Sequence, residues 1–131
     1  MTFYRVYADE SGETHVSEIQ LPPVAERDER GVRRSLRDVP TTTLTLSQNE
    51  GPMVERGVHV PDRRQFVVVL RGTLEVITSS GERQRFGPGD GLLADDLESK
   101  GHTTRDVGEE HLNVLTVGVP PDWECPGHVS G

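Results

Sequence analysis

Among the side chains able to do chemistry, His59, Gln65 and His102 stand out by type and setting. His102 closes the run Asp95-Asp96-Leu97-Glu98-Ser99-Lys100-Gly101-His102, in which an upstream carboxylate could hold one imidazole tautomer and raise the basicity of the other nitrogen. Adjacent residues of an extended segment point opposite ways, so at most one of Asp95 and Asp96 enters a common pocket, and Asp95 is expected to orient the histidine. The competing reading of His102 is a loop histidine that is solvated or hydrogen-bonded structurally. Gln65 begins the apolar run Phe66-Val67-Val68-Val69-Leu70, where a buried amide needs a partner because leaving it unsatisfied is costly. If Gln65 faces inward, Val67 and Val69 share its face, and Arg63, Pro61 and His59 follow where the strand extends back. Arg63 could then grip a substrate carboxylate or oxyanion, or pair with surface acids. His111 reads as a satisfied histidine and Cys125 with His128 as half a zinc site lacking its second pair.

The elements that must position these groups read as strands. Phe3 to Ala8 and Thr14 to Leu21 flank a turn at Asp9-Glu10-Ser11-Gly12-Glu13. Segment 22–40 is charged, contains Pro22-Pro23 and Gly31, and is expected to be an ordered loop or flap. Thr41 to Gln48 resumes strand character, Asn49-Glu50-Gly51-Pro52 turns it, and Met53 to Val60 leads onward. The two β-branched runs on either side of Arg71-Gly72 predict a hairpin. Turns follow at Thr78-Ser79-Ser80-Gly81 and Gly87-Pro88-Gly89-Asp90; the glycines of the second are structural, since no amphipathic helix follows to bind phosphate. Asp95 to Arg105 reads as irregular and polar, His111 to Val119 as a last strand, and 120–131 as a tail in which Trp123 packs against the domain or a second subunit.

The stretch from His59 to Asp90 resembles the cupin family. That family's first motif, G-x5-H-x-H-x3,4-E-x6-G, is met by His59, by Pro61 at its second histidine, by Gln65 at its glutamate and by Gly72. Of the second, G-x5-P-x-G-x2-H-x3-N, Gly81 and Gly89 are present, the proline is displaced to Pro88, and Leu92 stands at the histidine. Pro-Gly-Asp, Leu-Leu-Ala-x-Asp and Lys-Gly-His-x-x-Arg, with Arg63-Arg64-Gln65 and Gly12-Glu13-Thr14-His15, look like a subset of small bacterial cupins. The resemblance implies an all-β fold, a single jelly-roll β-barrel over 1–131, with the site in its interior. It also implies a metal, but Pro61 and Leu92 have no donor atom and Gln65 offers a neutral amide oxygen, so no metal cofactor is expected. Unfamiliar ligands, with His15, His102 or His111 as candidates, would be needed for one.

Composition narrows the functional classes. A chain of 131 residues has material for one core. At 32% hydrophobic residues the globule is thin, which suggests apolar area hidden in a homodimer. A net charge of -8 argues against nucleic acid or anionic membrane as partner. One cysteine, no long apolar run and an opening Met1-Thr2-Phe3-Tyr4-Arg5 without signal-peptide character make the cytoplasm the expected compartment. The leading expectation is a small-molecule enzyme using metal-independent acid–base chemistry, such as isomerisation, dehydration or cyclisation. His59 or His102 would transfer the proton, Asp95 would orient the histidine, Gln65 or Arg63 would hydrogen-bond a substrate oxygen, and Val67 and Val69 would line the pocket. The alternatives are a metal-dependent oxygenase with unfamiliar ligands and a non-catalytic metabolite-binding module.

Overall fold

The computed structural model describes residues 2–20, 26–50, 55–125 and 128–129. They form strands β1 (Phe3–Ala8), β2 (Thr14–Gln20), β3 (Glu26–Asp28), β4 (Gly31–Arg33), β5 (Leu44–Gln48), β6 (Glu55–His59) and β7 (Gln65–Arg71). The chain continues through β8 (Leu74–Thr78), β9 (Arg83–Phe86), β10 (Gly91–Asp95), β11 (His102–Asp106), β12 (Asn113–Gly118) and β13 (His128–Val129). The fold is all-β, and no helix of the described residues is long and apolar enough to cross a membrane. Leu21, Pro22-Pro23-Val24, Gly51-Pro52, Met53 and parts of the tail, expectations for which were given above, lie outside the described residues.

A seven-stranded sheet runs β13-β2-β1-β10-β7-β12-β5, with β1 and β10 parallel, and a four-stranded antiparallel sheet runs β6-β11-β8-β9. The sheets are separate ladders and do not close into the expected barrel. Between them lies one core, where Val6, Val69, Leu92 and Ala94 of the large sheet meet Leu74, Val76 and Phe86 of the small one. A second core covers the outer face of the large sheet: Ile19, Phe66, Leu93 and Val119 pack with Leu36, Val39 and Trp123. Phe66 sits edge-on to both Phe3 and Trp123. The large sheet is thus covered on both faces along β7 and β10, which is why those strands read as continuous apolar runs rather than alternating ones. Beyond this cover, Leu44, Leu46 and Leu70 are exposed.

Three features differ from the expectation. Arg71-Gly72 is no hairpin, because β7 and β8 belong to different sheets and the chain turns a corner between them. Gly72, at φ 84°, makes that corner possible: a Cβ there would stand 2.9 Å from Leu112 Cα. The 22–40 segment contains the β3–β4 hairpin, and its Leu36 and Val39 cover the outer core. The end of the supposedly irregular 95–105 stretch is strand, since β11 begins at His102 and runs down the middle of the small sheet between β6 and β8.

Candidate functional site

Strand alternation decides what faces the space between the sheets. On β7, Gln65 and Val67 pair in register with Ala94 and Leu92 of β10, and these four side chains share the inner face. On β11, His102 and Thr104 face inward, with His102 opposite His59 and Thr104 opposite Arg56 on β6. Three residues of β6 therefore span what two of β11 span, a β-bulge at Gly57-Val58. Without it, Arg56 and His59 would point to opposite faces.

Together these residues line a cavity of about 210 Å3 between the sheets. Its walls are apolar, from Val67, Val76, Leu92 and Val114, and its polar groups are His59, His102, Gln65, Thr104, Thr116 and, at the rim, Arg56 and Asp62. The His59 and His102 rings lie 4.7 Å apart between centroids. His102 is 5% exposed, and its Nδ1 lies 2.5 Å from Oδ2 of Asp96, which is completely buried. A carboxylate at that distance accepts a hydrogen bond from Nδ1–H and leaves Nε2 as the nitrogen with a lone pair for a pocket ligand. His59 Nδ1 is likewise engaged, by the Gly57 carbonyl at 2.8 Å, so it too offers Nε2. Burial, reinforced by His102 and Arg56, pushes the His59 pKa down and outweighs the Gly57 hydrogen bond, so His59 is uncharged at neutral pH.

The loop holding Asp96 is fastened at several points. Ser99 Oγ donates to the Asp96 carbonyl at 2.7 Å and accepts from the Gly101 amide at 2.9 Å. The Lys100 amide donates to the Gly12 carbonyl, Thr14 Oγ1 donates to the Gly101 carbonyl, and the Lys100 ammonium pairs with Glu13. The Gly12-Glu13-Thr14-His15 and Lys100-Gly101-His102 runs, both singled out by sequence, are thus two sides of one junction. His15 itself does not reach the cavity. It bridges Asp9 and Glu82, each at 2.8 Å, and these two carboxylates, Asp9 foremost, raise its pKa. Its bridge strengthens stability below the ordinary histidine pKa and weakens as pH rises through the raised one; acidification acts oppositely on His59, whose folded state resists the proton.

Of the expected site residues, His59, Gln65, Val67 and His102 come together on one cavity. Three do not. Asp95 follows Ala94 on β10 and so projects to the outer face, where its carboxylate takes Arg64 Nε at 2.8 Å and Arg5 at 2.7 Å. Asp96, the first residue past the strand, turns back and holds His102 instead. Arg63 is exposed and donates to Thr43 Oγ1 at 3.0 Å, away from the cavity. Val69 shares the inner face but is 1% exposed within solid core, beyond the cavity. His111 is exposed just before β12. Cys125 is a free thiol packed against the outer core, and the side chain of His128 lies outside the described residues. Among the described residues no three His, Cys, Asp or Glu side chains converge to hold a metal.

Asp95 is therefore a structural residue. Arg64, 8% exposed, binds it, donates to the Pro120 and Trp123 carbonyls and stacks its guanidinium on the Trp123 ring, pinning the tail to the outer sheet face. Asp95→Ala should orphan this buried charge and cost about 3 kcal/mol, the low end for a broken buried pair because Arg5 keeps some solvent. Urea unfolding measures it. Turnover per folded molecule should stay intact, and loss of turnover at unchanged stability would refute the structural assignment.

The molecule defined so far is an all-β protein of two facing sheets and a small β3–β4 hairpin, with a buried histidine–carboxylate pair opening on an apolar inter-sheet cavity. Compared with protein-family models and with curated proteins, the chain matches none.

Proposed function

We propose that this cavity is the active site of a small-molecule enzyme on a cupin-like scaffold, performing metal-independent acid–base chemistry of the isomerisation, dehydration or cyclisation type. The observation that carries the proposal is the 2.5 Å contact between His102 and Asp96, both buried, at the wall of a cavity that Gln65 also lines. In this reading Nε2 of His102 takes a proton from an acidic C–H of the substrate. The fully buried Asp96 fixes the tautomer and offsets the charge of the imidazolium that forms. The Gln65 amide donates to the carbonyl or enolate oxygen, where negative charge develops, and dry walls make that hydrogen bond count for more than it would in water. Neutral His59, with its Nε2 lone pair beside His102, receives or relays the proton.

The metal that the cupin resemblance implies does not fit the donors present. Pro61 and Leu92 line the cavity at two of the expected ligand positions, leaving two imidazoles and a neutral amide. Elemental analysis of freshly purified protein is expected to find far less than one iron, manganese, nickel or zinc per chain; one equivalent, lost in His59→Ala, would favour the oxygenase reading. The acid–base reading is tested by incubating the protein with small enolisable ketones and keto acids in D2O and following deuterium incorporation by NMR. Exchange that depends on His102 supports it. Ligands that bind in the cavity without any exchange would make the protein a binding module.

A further inference from the structure

The rim of the cavity specifies the substrate more closely, on the assumption that the acid–base reading holds. The guanidiniums of Arg5, Arg64, Arg71, Arg83, Arg85 and Arg105 each lie against a carboxylate. Arg56 lines the cavity yet has no ion-pair partner among the described residues, although Asp62 also stands on the rim. The bulge in β6 is what turns Arg56 inward beside His59, close enough for its charge to disfavour the His59 cation. Arg56 is exposed at the cavity mouth, and with no carboxylate paired to it among the described residues of a chain of net charge -8, its guanidinium is open to an anion from outside.

We infer that the substrate is a small carboxylic acid whose carboxylate is held by Arg56 and Thr104 at the rim and whose apolar body extends inward to His102 and Gln65. The forked guanidinium matches a planar carboxylate, and the Thr104 hydroxyl, opposite Arg56 in the ladder, supplies a further donor. One guanidinium suits a monoanion; a phosphate dianion would call for more positive charge than this rim carries. The Arg56–Thr104 row and the His59–His102 row are two residues apart on β11, about 7 Å at ordinary strand rise. The acidic C–H therefore lies several bonds from the carboxylate, next to a second carbonyl that Gln65 can reach. Between the two ends Val67, Val76 and Leu92 accept only apolar chain. At about 210 Å3 the cavity is smaller than drug-sized pockets, which start at roughly 300 Å3, so the acid is short.

The probe is 5-oxohexanoate, compared with its amide and with a phosphate monoester of similar length, each titrated into the 15N-labelled protein. The acid is expected to bind at least about tenfold more tightly than the amide, the factor a charged hydrogen bond supplies, with resonances of Arg56, His59 and His102 shifting together. Arg56→Gln should abolish the preference for the acid and Arg56→Lys should keep part of it. Equal binding of acid and amide, a preference that survives Arg56→Gln, a stronger phosphate ester, or no binding of the acid would each overturn the inference. Deuterium exchange at C4 and C6 separates this result from the acid–base reading. An Arg56-dependent preference without exchange sinks the chemistry and keeps the carboxylate site; exchange of neutral ketones with no preference for acids does the reverse.

Discussion

His102→Gln is expected to reduce turnover by about 10²–10⁴-fold, the usual contribution of a positioned general base, while leaving ligand affinity within a few-fold. Glutamine retains a hydrogen-bonding group for Asp96 but has no lone pair of comparable basicity to present to the substrate. Asp96→Asn is the more discriminating variant. An amide facing Nδ1 can donate where the carboxylate could only accept, which favours the tautomer with its proton on Nε2 and removes the base from the cavity without removing the ring. Turnover should fall nearly as far as in His102→Gln, and the double variant should be little worse than either single one, because the pair acts as a unit. Steady-state rates for the four proteins across pH decide it. An Asp96→Asn enzyme with unchanged rate would show that the 2.5 Å contact is structural only.

Gly101→Ala is expected to destabilise the fold by about 3 kcal/mol, a large part of the 5–15 kcal/mol typical of a small domain. Gly101 sits at φ 80°, and a Cβ there would stand 2.5 Å from the His59 carbonyl oxygen, which is backbone and cannot swing aside. The left-handed backbone accounts for about 1–2 kcal/mol and the clash for the remainder. Gly81 provides the control: at φ 93° it has nothing within 4 Å of a built Cβ, so Gly81→Ala should show the backbone cost alone. Paired urea titrations measure the difference. Gly101→Ala should also impair the site, since relief of the clash moves β6 and with it His59 and Arg56. Equal costs at the two glycines would mean that the close approach of the 96–101 loop to β6 is not maintained in solution.

Much of the site could be read from periodicity. Gln65 and Val67 share a face because strand side chains alternate, and the Asp95-Asp96 pair had to split between two directions for the same reason. Extending β10 one residue past Ala94 would have sent Asp95 outward and chosen Asp96, since Ala94 lies across from inward-facing Gln65. His102 lacked any such signal: Thr103, Thr104 and Arg105 carry no apolar alternation because the outer face of β11 is a charged ladder in which Arg105 meets Glu75.

What the sequence determined by itself was strands β1, β2, β5, β7, β8 and β12, the turns at Asp9–Glu13, Thr78–Gly81 and Gly87–Asp90, and which residues of β7 share a face. All of these rest on local rules: side-chain alternation, β-branching, and the backbone freedom of glycine. Tertiary structure decided the rest. A glycine at positive φ serves a hairpin and a corner equally well, so only the packing of Leu112 against Gly72 sends β8 into the other sheet. Alternation places Arg56 and His59 on opposite faces, and only the pairing of β6 with β11 introduces the bulge that brings them to one cavity. The closeness of Asp96 to His102 was likewise fixed by the contacts that hold the 96–101 loop to the β1–β2 turn, which join residues too far apart in the chain for any local pattern to couple them.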